Sequence, residues 1–197
     1  MLVERWPRAS EELEALQHEL AMLEPPPWRP AGAYRVGAVF ACGPRGSSGA
    51  GEAGQPGWAA AVLGADWAVV SGRLAASYQP GLLALREGEL LERAVRALAE
   101  LPDVLLVDAT GRDHPRRAGL ALHLGWAVGL PTVGVTRRLL HDGEGAQRTS
   151  EGLWVHAAWR TDLETALAVV RSVSGRVRTP APLREARRLA RTARSYA

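Results

Sequence analysis

The chain has 197 residues, of which 47% are hydrophobic and 23% are charged, a composition typical of a globular protein rather than a disordered one. A domain of this length buries roughly 70% of its unfolded surface, so a single domain is expected over residues 1–197. No apolar run approaches the ~20 residues of a membrane helix, and acids stand near the N-terminus where a signal peptide has its apolar core. These features predict a cytoplasmic protein without membrane contact.

The basic side chains and the single cysteine limit which sites are possible. Cys42 alone excludes a disulfide framework and a cysteine zinc site within one chain, so a bound metal would need oxygen or histidine ligands. All 24 basic residues are arginine, and the formal net charge is +3. That charge permits nucleic-acid binding without demanding it.

Hydrophobic spacing predicts the order of the secondary-structure elements. Apolar residues at helical spacing predict an N-terminal helix at about 10–23 and an Arg-rich C-terminal helix at about 182–195. Between them the patterns predict strands at 34–41, 58–63, 67–75, 103–108, 131–136 and 152–159, and helices at 89–101, 116–130 and 161–173. This order predicts an α/β layered domain in which a hairpin joins a parallel half sheet.

A cluster of polar residues follows the apolar run that ends at Asp108. Ligands collect beyond the carboxyl ends of strands in open α/β sheets, and a buried carboxylate is costly unless it is paired or binds a metal. Asp108 is therefore a candidate for metal ligation or catalysis, or else it caps the following turn. His114 is a candidate general acid, a phosphate contact or a surface residue at a helix start. Glu87, placed just before a helix, is by itself an ordinary N-terminal acid.

Two further segments are open to a functional or a plain structural interpretation. The glycine-rich stretch at 42–57 lacks the lysine and the following helix of a phosphate-binding loop, and we interpret it as a flexible hairpin insertion. The C-terminal helix places arginines opposite an apolar side, at positions 184, 187, 188, 191 and 194. Such a stripe either neutralises nucleic-acid phosphates or is a solvated basic face.

Three stretches together resemble the endonuclease V family, nucleases that act on deaminated purines in DNA or RNA. They are SYQPGLLALREGELLERA, LLVDATGRDHPRRAGLALHLGWAVGLPTVGVTRRL and DLETALAVV. The resemblance spans about residues 34–180, and it implies a ribonuclease H-like fold with a mixed five- to six-stranded sheet flanked by helices. It also implies phosphodiester hydrolysis with Mg²⁺ or Mn²⁺ held by carboxylates, since such ions activate water and neutralise charge on the attacked phosphate.

The resemblance assigns roles to individual residues. Asp108 and Glu87 match metal-binding carboxylates, His114 matches a histidine beside the base pocket, and Arg137 replaces a lysine near the scissile phosphate. Two residues, Tyr78 and Pro80, fall on a wedge that parts the strands beside the lesion. Four residues fall on the pocket for the flipped base, namely Gly81, Leu83, Gly119 and Leu120.

The sequence also departs from the family pattern at expected metal ligands. Phe40 replaces an aspartate of the first strand, Trp159 replaces a histidine near the C-terminal end, and Ala109 replaces the glycine after Asp108. A phenyl ring cannot coordinate Mg²⁺, and the acids proposed as substitutes are Asp66 and Asp113. We therefore expect nuclease activity to be weak or absent, with Mg²⁺ or Mn²⁺ as cofactor if the site is active and no cofactor otherwise.

Three functional hypotheses remain from the sequence. The first is a nuclease with a rearranged, single-metal site on Glu87 and Asp108. The second is a catalytically silent protein that binds DNA or RNA containing a deaminated purine such as inosine. The third is a scaffold whose surface binds a protein partner. Retention of Tyr78, Pro80, Gly81 and His114 favours retained binding over retained chemistry.

Overall fold

The computed structural model of the protein describes residues 5–46, 50–141, 144–175 and 177–196. These parts of the chain form five helices, α1 (Ser10–Met22), α2 (Leu83–Arg96), α3 (Leu120–Val128), α4 (Leu163–Ser172) and α5 (Ala181–Ser195). They also form seven strands, β1 (Val36–Cys42), β2 (Pro56–Leu63), β3 (Asp66–Arg73), β4 (Val104–Val107), β5 (Thr132–Thr136), β6 (Ala146–Arg148) and β7 (Trp154–Ala157). None of the described helices is long and apolar enough to cross a membrane.

The strands form one mixed sheet in the order β3-β2-β1-β4-β5-β7-β6. Strands β1, β4 and β5 are parallel, while the hairpin β2-β3 on one side and β7-β6 on the other are antiparallel. This confirms the predicted hairpin attached to a parallel half sheet. The seventh strand, β6, was not predicted, because three residues are too few to show a periodic pattern.

Two apolar cores cover the two faces of the sheet. On β1, Val39 and Ala41 face the core shared with α1, α2 and α3, whereas Ala38 and Phe40 face the core shared with α4 and α5. This alternation follows from the two-residue period of a strand. Side chains of α1, α2 and α3 therefore pack against one face of β1, and side chains of α4 and α5 pack against the face that carries Phe40.

Helix α2 begins six residues earlier than its predicted start at residue 89. The apolar residues of 83–85 join the same buried side as Leu90 and Leu91, so residues 83–88, which were not assigned to any predicted element, form the start of the helix. Glu87 therefore lies within α2 and not before it. Of the predicted glycine-rich insertion at 42–57, residues 47–49 lie outside the described residues, and β2 begins at Pro56.

Candidate functional site

The candidate site lies at the carboxyl ends of β1 and β4. Val39 pairs with Val107 in the parallel register, so the next residues, Phe40 and Asp108, lie side by side where β4 ends and β1 continues for two more residues. Glu87 on α2 approaches the same place, and all three side chains line a cavity of about 250 Å³. The structure thus brings together the two predicted carboxylates and the phenylalanine predicted to replace a third.

An arginine from the last helix occupies this site beside Asp108. The Nη2 and Nε atoms of Arg187 donate to one carboxylate oxygen of Asp108 at 2.8 and 3.2 Å, and Nη1 lies 3.4 Å from the hydroxyl of Thr179. The side chains of Arg187 and Asp108 are only 11% and 25% exposed. The charge of Asp108 is therefore balanced by a guanidinium group.

Phe40 forms an apolar and aromatic contact for the same arginine. The guanidinium carbons of Arg187 and Arg191 lie 5.7 and 5.5 Å from the centre of the Phe40 ring, within the range of cation–π attraction. An aspartate at position 40 would be next to Asp108 and would repel it without a cation between them. The ring is thus compatible with the guanidinium of Arg187 and adds no negative charge.

Glu87 differs from Asp108 because no partner neutralises it. Among the described residues its carboxylate has no hydrogen bond or ion pair, and it shares the 250 Å³ cavity with Phe40 and Asp108. Burial raises the pKa of Glu87 to about 7; the charge of Arg86 opposes this rise, while that of Asp108 adds to it. Near neutral pH this carboxyl is therefore divided between its charged and neutral forms.

The residues of the site do not fit a divalent metal ion. Within the described ranges no three histidine, cysteine or acidic side chains come close enough together to hold one, and the carboxylate of Asp108 is already bound by Arg187. Neither suggested substitute joins the site: Asp66 accepts from the Ala99 amide at 3.0 Å beside the β2-β3 turn, and Asp113 Oδ1 lies 2.9 Å from His156 Nδ1. The guanidinium group of Arg187 thus occupies the position beside Asp108 where a metal ion would have to bind.

Trp159 is at the opposite end of the sheet, so the prediction that it occupies the metal site was wrong. Its backbone nitrogen donates to the Thr132 hydroxyl at 3.1 Å, its carbonyl accepts from the Thr132 amide at 2.9 Å, and its Cβ packs against Gly125. Thr132 begins β5, whereas Asp108 follows the end of the parallel strand β4. Because β7 is antiparallel to β5, the residues that follow β7, including Trp159, lie beside the start of β5. Asp108 lies at the other end of the sheet.

A second cavity of about 290 Å³ adjoins the first and contains most of the predicted base-pocket residues. Tyr78, Leu83 and Asp108 line both cavities. The second cavity is also lined by Gly81, His114 and Leu120, which belong to the predicted site, and by Gln17, Thr136 and Arg138, which do not. Tyr78 is 46% exposed.

Three predicted site residues lie beside this cavity without lining it. Pro80 is exposed next to Tyr78. Gly119 caps the start of α3, packs against Thr110 and donates its amide to the Gly111 carbonyl at 2.9 Å. Arg137 is exposed, and the neighbouring Arg138 contributes to the cavity wall instead.

His114 forms part of the cavity wall and is fixed on both ring nitrogens. Its Nε2 donates to the Gly81 carbonyl at 3.0 Å, while its Nδ1 accepts from the Arg116 amide at 3.1 Å. Burial lowers the pKa of His114, the bond to Gly81 opposes this, and the charge of Arg116 lowers it further. Neutral His114 thus holds Gly81, whose φ of +80° favours glycine.

Gln17 and Arg187 were missed by the sequence reasoning. The Gln17 amide donates to the carbonyls of Gly81 and Ala118 at 3.2 and 3.0 Å, and its buried Oε1 has no hydrogen-bond partner among the described residues. Arg187 was placed in the arginine stripe, on the side of the last helix opposite its apolar side. It is in fact four residues after Leu183 and three before Ala190, both buried, and this spacing could have placed it on the buried face.

The mixed sheet with helices on both faces is the ribonuclease H-like fold. The chain belongs to the endonuclease V family, whose model, described as Endonuclease V, matches residues 59–157. The endonuclease V of Thermus thermophilus is 39% identical over 133 residues, which cover 54% of this chain and 59% of that protein. The Nocardia farcinica protein is 37% identical over 149 residues, covering 64% and 66%.

Solved structures give the same family. Endonuclease V from Streptomyces avermitilis has 29% sequence identity and a TM-score of 0.84, with 97% of this chain and 95% of that chain covered. Endonuclease V from Ciona intestinalis was solved with a 24mer DNA containing an inosine followed by a ribo-adenosine. At 19% identity and a TM-score of 0.78, with 94% and 97% covered, the Ciona intestinalis structure supports the fold alone.

Proposed function

We propose that this protein binds DNA or RNA containing a deaminated purine, and that its metal-dependent phosphodiester hydrolysis is weak or absent. The 290 Å³ cavity would take the flipped base, and Tyr78 at its entrance would stack against the neighbouring bases. The single observation behind the loss of hydrolysis is the ion pair of Arg187 with Asp108. The proposal rests on membership of the endonuclease V family for its ligand.

Arg187 can take over one task of a divalent cation but not the other. A guanidinium group carries a permanent positive charge and donates hydrogen bonds to phosphate oxygens. It cannot coordinate a water molecule and lower its pKa toward 7, as a metal ion does. Each ~1.4 kcal/mol of lost transition-state stabilisation slows the reaction tenfold, so a site that keeps the charge and loses the activated water retains binding more than turnover.

The arginines near the cavity provide an attraction for the nucleic-acid backbone that needs no metal. Arg191 and Arg194 on α5 lie near the end of β1, where Arg191 contacts the Phe40 ring and Arg194 donates to the Gly43 carbonyl at 3.2 Å. The nearby acids, Asp108 and Glu87, are respectively paired and partly protonated at neutral pH. The site is therefore net positive, and binding should weaken as salt concentration rises.

The test separates binding from cleavage. Fluorescence anisotropy would compare oligonucleotides with one inosine against matched guanosine controls, as single- and double-stranded DNA and RNA, in EDTA and in Mg²⁺ or Mn²⁺. Denaturing gels of the same mixtures would measure cleavage. We expect tighter binding of the inosine strand, undiminished in EDTA, and little or no cleavage.

Two variants make this experiment specific to the site. Tyr78→Ala should weaken inosine binding about tenfold or more, since base stacking on an aromatic ring contributes about 1–3 kcal/mol. Trp67→Ala, which alters another exposed aromatic side chain on the distant strand β3, should leave it unchanged. Efficient Mn²⁺-dependent cleavage that disappears in Asp108→Ala would overturn the proposed loss of hydrolysis, and equal affinity for inosine and guanosine strands would overturn the proposed ligand.

A further inference from the structure

Three side chains from separate elements form a buried chain of contacts that ends at the base cavity. Asp113, in the turn after β4, has Oδ1 2.9 Å from Nδ1 of His156 on β7. Nε2 of His156 lies 2.8 Å from the hydroxyl oxygen of Thr136 at the end of β5. The same hydroxyl donates to the Arg138 carbonyl at 2.8 Å. The side chains of Asp113 and His156 are fully buried, while Thr136 lines the cavity.

The single proton of Thr136 is engaged whichever direction its contact with His156 takes. Burial raises the pKa of Asp113, but the hydrogen bond and charge of His156 and the Gly111 amide at 3.0 Å outweigh it, so the pKa is lowered and Asp113 is a carboxylate. The Thr136 hydroxyl lies within hydrogen-bond distance of two groups able to accept its proton, the Arg138 carbonyl and Nε2 of His156. Whichever of the two receives it, the hydroxyl oxygen keeps at least one lone pair that is not used within this cluster.

The arrangement leaves Thr136 with a defined hydrogen-bonding character toward the cavity. Its only proton is directed to the Arg138 carbonyl or to Nε2 of His156. At least one lone pair of its oxygen remains able to accept a further hydrogen bond. Thr136 is therefore an acceptor on the wall of the 290 Å³ cavity, and it becomes a donor to a ligand only by giving up its contact with Arg138 or His156.

We propose that Thr136 is a specificity-determining residue that accepts the ring N1–H of a 6-oxopurine. Hypoxanthine and guanine carry a proton on N1, whereas adenine presents a lone pair there, which would face the lone pair of the Thr136 oxygen. A site built to hydrogen-bond a group rejects the analogue that lacks it, because a polar atom is left unpaired. His156 and Asp113 act as positioning residues for this hydroxyl. The inference rests on the proposed binding of a deaminated purine.

The experiment measures the ratio of affinities for otherwise identical strands carrying inosine or adenosine. Thr136→Val removes the hydroxyl and keeps the shape, and it should lower the affinity for inosine about tenfold while the affinity for adenosine stays unchanged. Thr136→Ser should restore the wild-type ratio, and His156→Phe should lower it as Thr136→Val does. The guanosine strand should follow inosine in all variants, since it also carries N1–H.

A second measurement uses the wild-type protein, so it does not depend on how a variant folds. A strand with 1-methylinosine, in which a methyl group replaces the N1 proton, should bind at least tenfold more weakly than inosine. Equal binding of 1-methylinosine and inosine, or an unchanged inosine-to-adenosine ratio in Thr136→Val, overturns the role of Thr136 while leaving the proposed function intact. If the wild-type protein shows no preference for inosine over adenosine, both proposals fall together.

Discussion

The guanidinium of Arg187 and the carboxylate of Asp108 lie 2.8 Å apart across the end of β4, with the ring of Phe40 beside them. Two elements far apart in sequence create this relationship, because Asp108 ends a central strand and Arg187 comes from the last helix. The proteins related to this chain are nucleases. In this chain the pair places a side-chain cation, the guanidinium of Arg187, next to Asp108.

The Arg187–Asp108 pair should contribute a measurable coupling energy to stability. Arg187→Ala leaves a largely buried carboxylate unpaired, and Asp108→Ala leaves the guanidinium without its main partner, so each should lower the free energy of unfolding by about 1–3 kcal/mol. The double variant should lose less than the sum of the two, because the pair is coupled. Urea unfolding of the four proteins measures the coupling.

A surface pair on the same helix is the matched control for that cycle. Arg188 binds Glu185 at 2.6 and 2.9 Å, yet both side chains are well exposed, and pairs of this kind contribute about 0–1 kcal/mol. The cycle with Arg188→Ala and Glu185→Ala should therefore show little coupling. Equal coupling energies for the two pairs would contradict the role given to Arg187.

A metal site should be created by replacing two residues that lie at the site. The variant Phe40→Asp/Arg187→His removes the guanidinium and adds a carboxylate and an imidazole next to Asp108 and Glu87, which provides four side chains able to ligate a divalent ion. Isothermal titration with Mn²⁺ should show saturable binding in this variant and none in the wild-type protein.

The control for metal recovery uses the residue that the sequence alone suggested. Phe40→Asp/Trp159→His adds the same two ligand types, but position 159 is beside Thr132 at the other end of the sheet, and Arg187 still neutralises Asp108. This variant should not bind Mn²⁺. Binding of Mn²⁺ by both double variants with the same affinity would show that the placement of Arg187 does not decide the outcome.

The stability of the protein should fall in mild acid because of His123. This fully buried side chain stacks on Trp6 with ring centres 4.4 Å apart, and Nε2 donates to the Arg5 carbonyl at 2.7 Å. Burial lowers the pKa of His123 to about 4, although the bond to Arg5 and the charge of Glu92 oppose this. Between pH 4 and about 6.5 the unfolded chain binds the proton more readily, so stability is lost as pH falls through this window.

The size of this acid effect can be isolated by removing the imidazole. The shift of His123 corresponds to about 3 kcal/mol of unfolding free energy lost between pH 6.5 and 4. His123→Gln should remove that slope, whereas His18→Gln, at an exposed position on α1, should retain it. Urea unfolding at a series of pH values gives the slopes, and a His123→Gln profile as steep as that of the wild-type protein would refute the assignment.

Gly88 on α2 is expected to be intolerant of a methyl group. A Cβ at this position would overlap the Trp6 ring, which packs there and donates its indole N–H to Glu92. Gly88→Ala should therefore destabilise the protein by about 1–3 kcal/mol, despite the better helix propensity of alanine.

Two comparisons test the reason for that intolerance. Gly32→Ala should change stability by less than about 0.5 kcal/mol, because no atom lies within 4 Å of a Cβ built there. In a Trp6→Ala background, Gly88→Ala should become neutral or stabilising, since the obstructing ring is gone. Thermal melts of the single and double variants measure both effects, and a cost of Gly88→Ala that persists without Trp6 would disprove the explanation.

The sequence predicted the fold well because long elements have strong periodic patterns. The central apolar strand before Asp108 and the amphipathic helix at the C-terminus were both recovered close to their observed bounds. The strand β6 was missed because it has three residues and is mostly exposed. The start of α2 was misplaced because SYQPG marks a break, and the apolar residues after it were not assigned to the helix.

The candidate site was predictable only where stretches with a recognisable motif contribute its residues. Gly81, Leu83, His114 and Leu120 come from two such stretches, and the structure brings them together around one cavity. Arg187 and Gln17 reach the site from helices at opposite ends of the chain, so only the packing of α5 and α1 could place them. Trp159 was misjudged for the same reason, since a correct position in the sequence motif does not say which end of the sheet it occupies.

The most direct test is a crystal of the wild-type protein soaked in millimolar Mn²⁺ and measured at a wavelength where manganese scatters anomalously. We predict no anomalous peak within coordination distance of Asp108 or Glu87, and an unchanged ion pair between Arg187 and Asp108. An ordered manganese ion bound by both carboxylates, with Arg187 displaced from Asp108, would contradict the account.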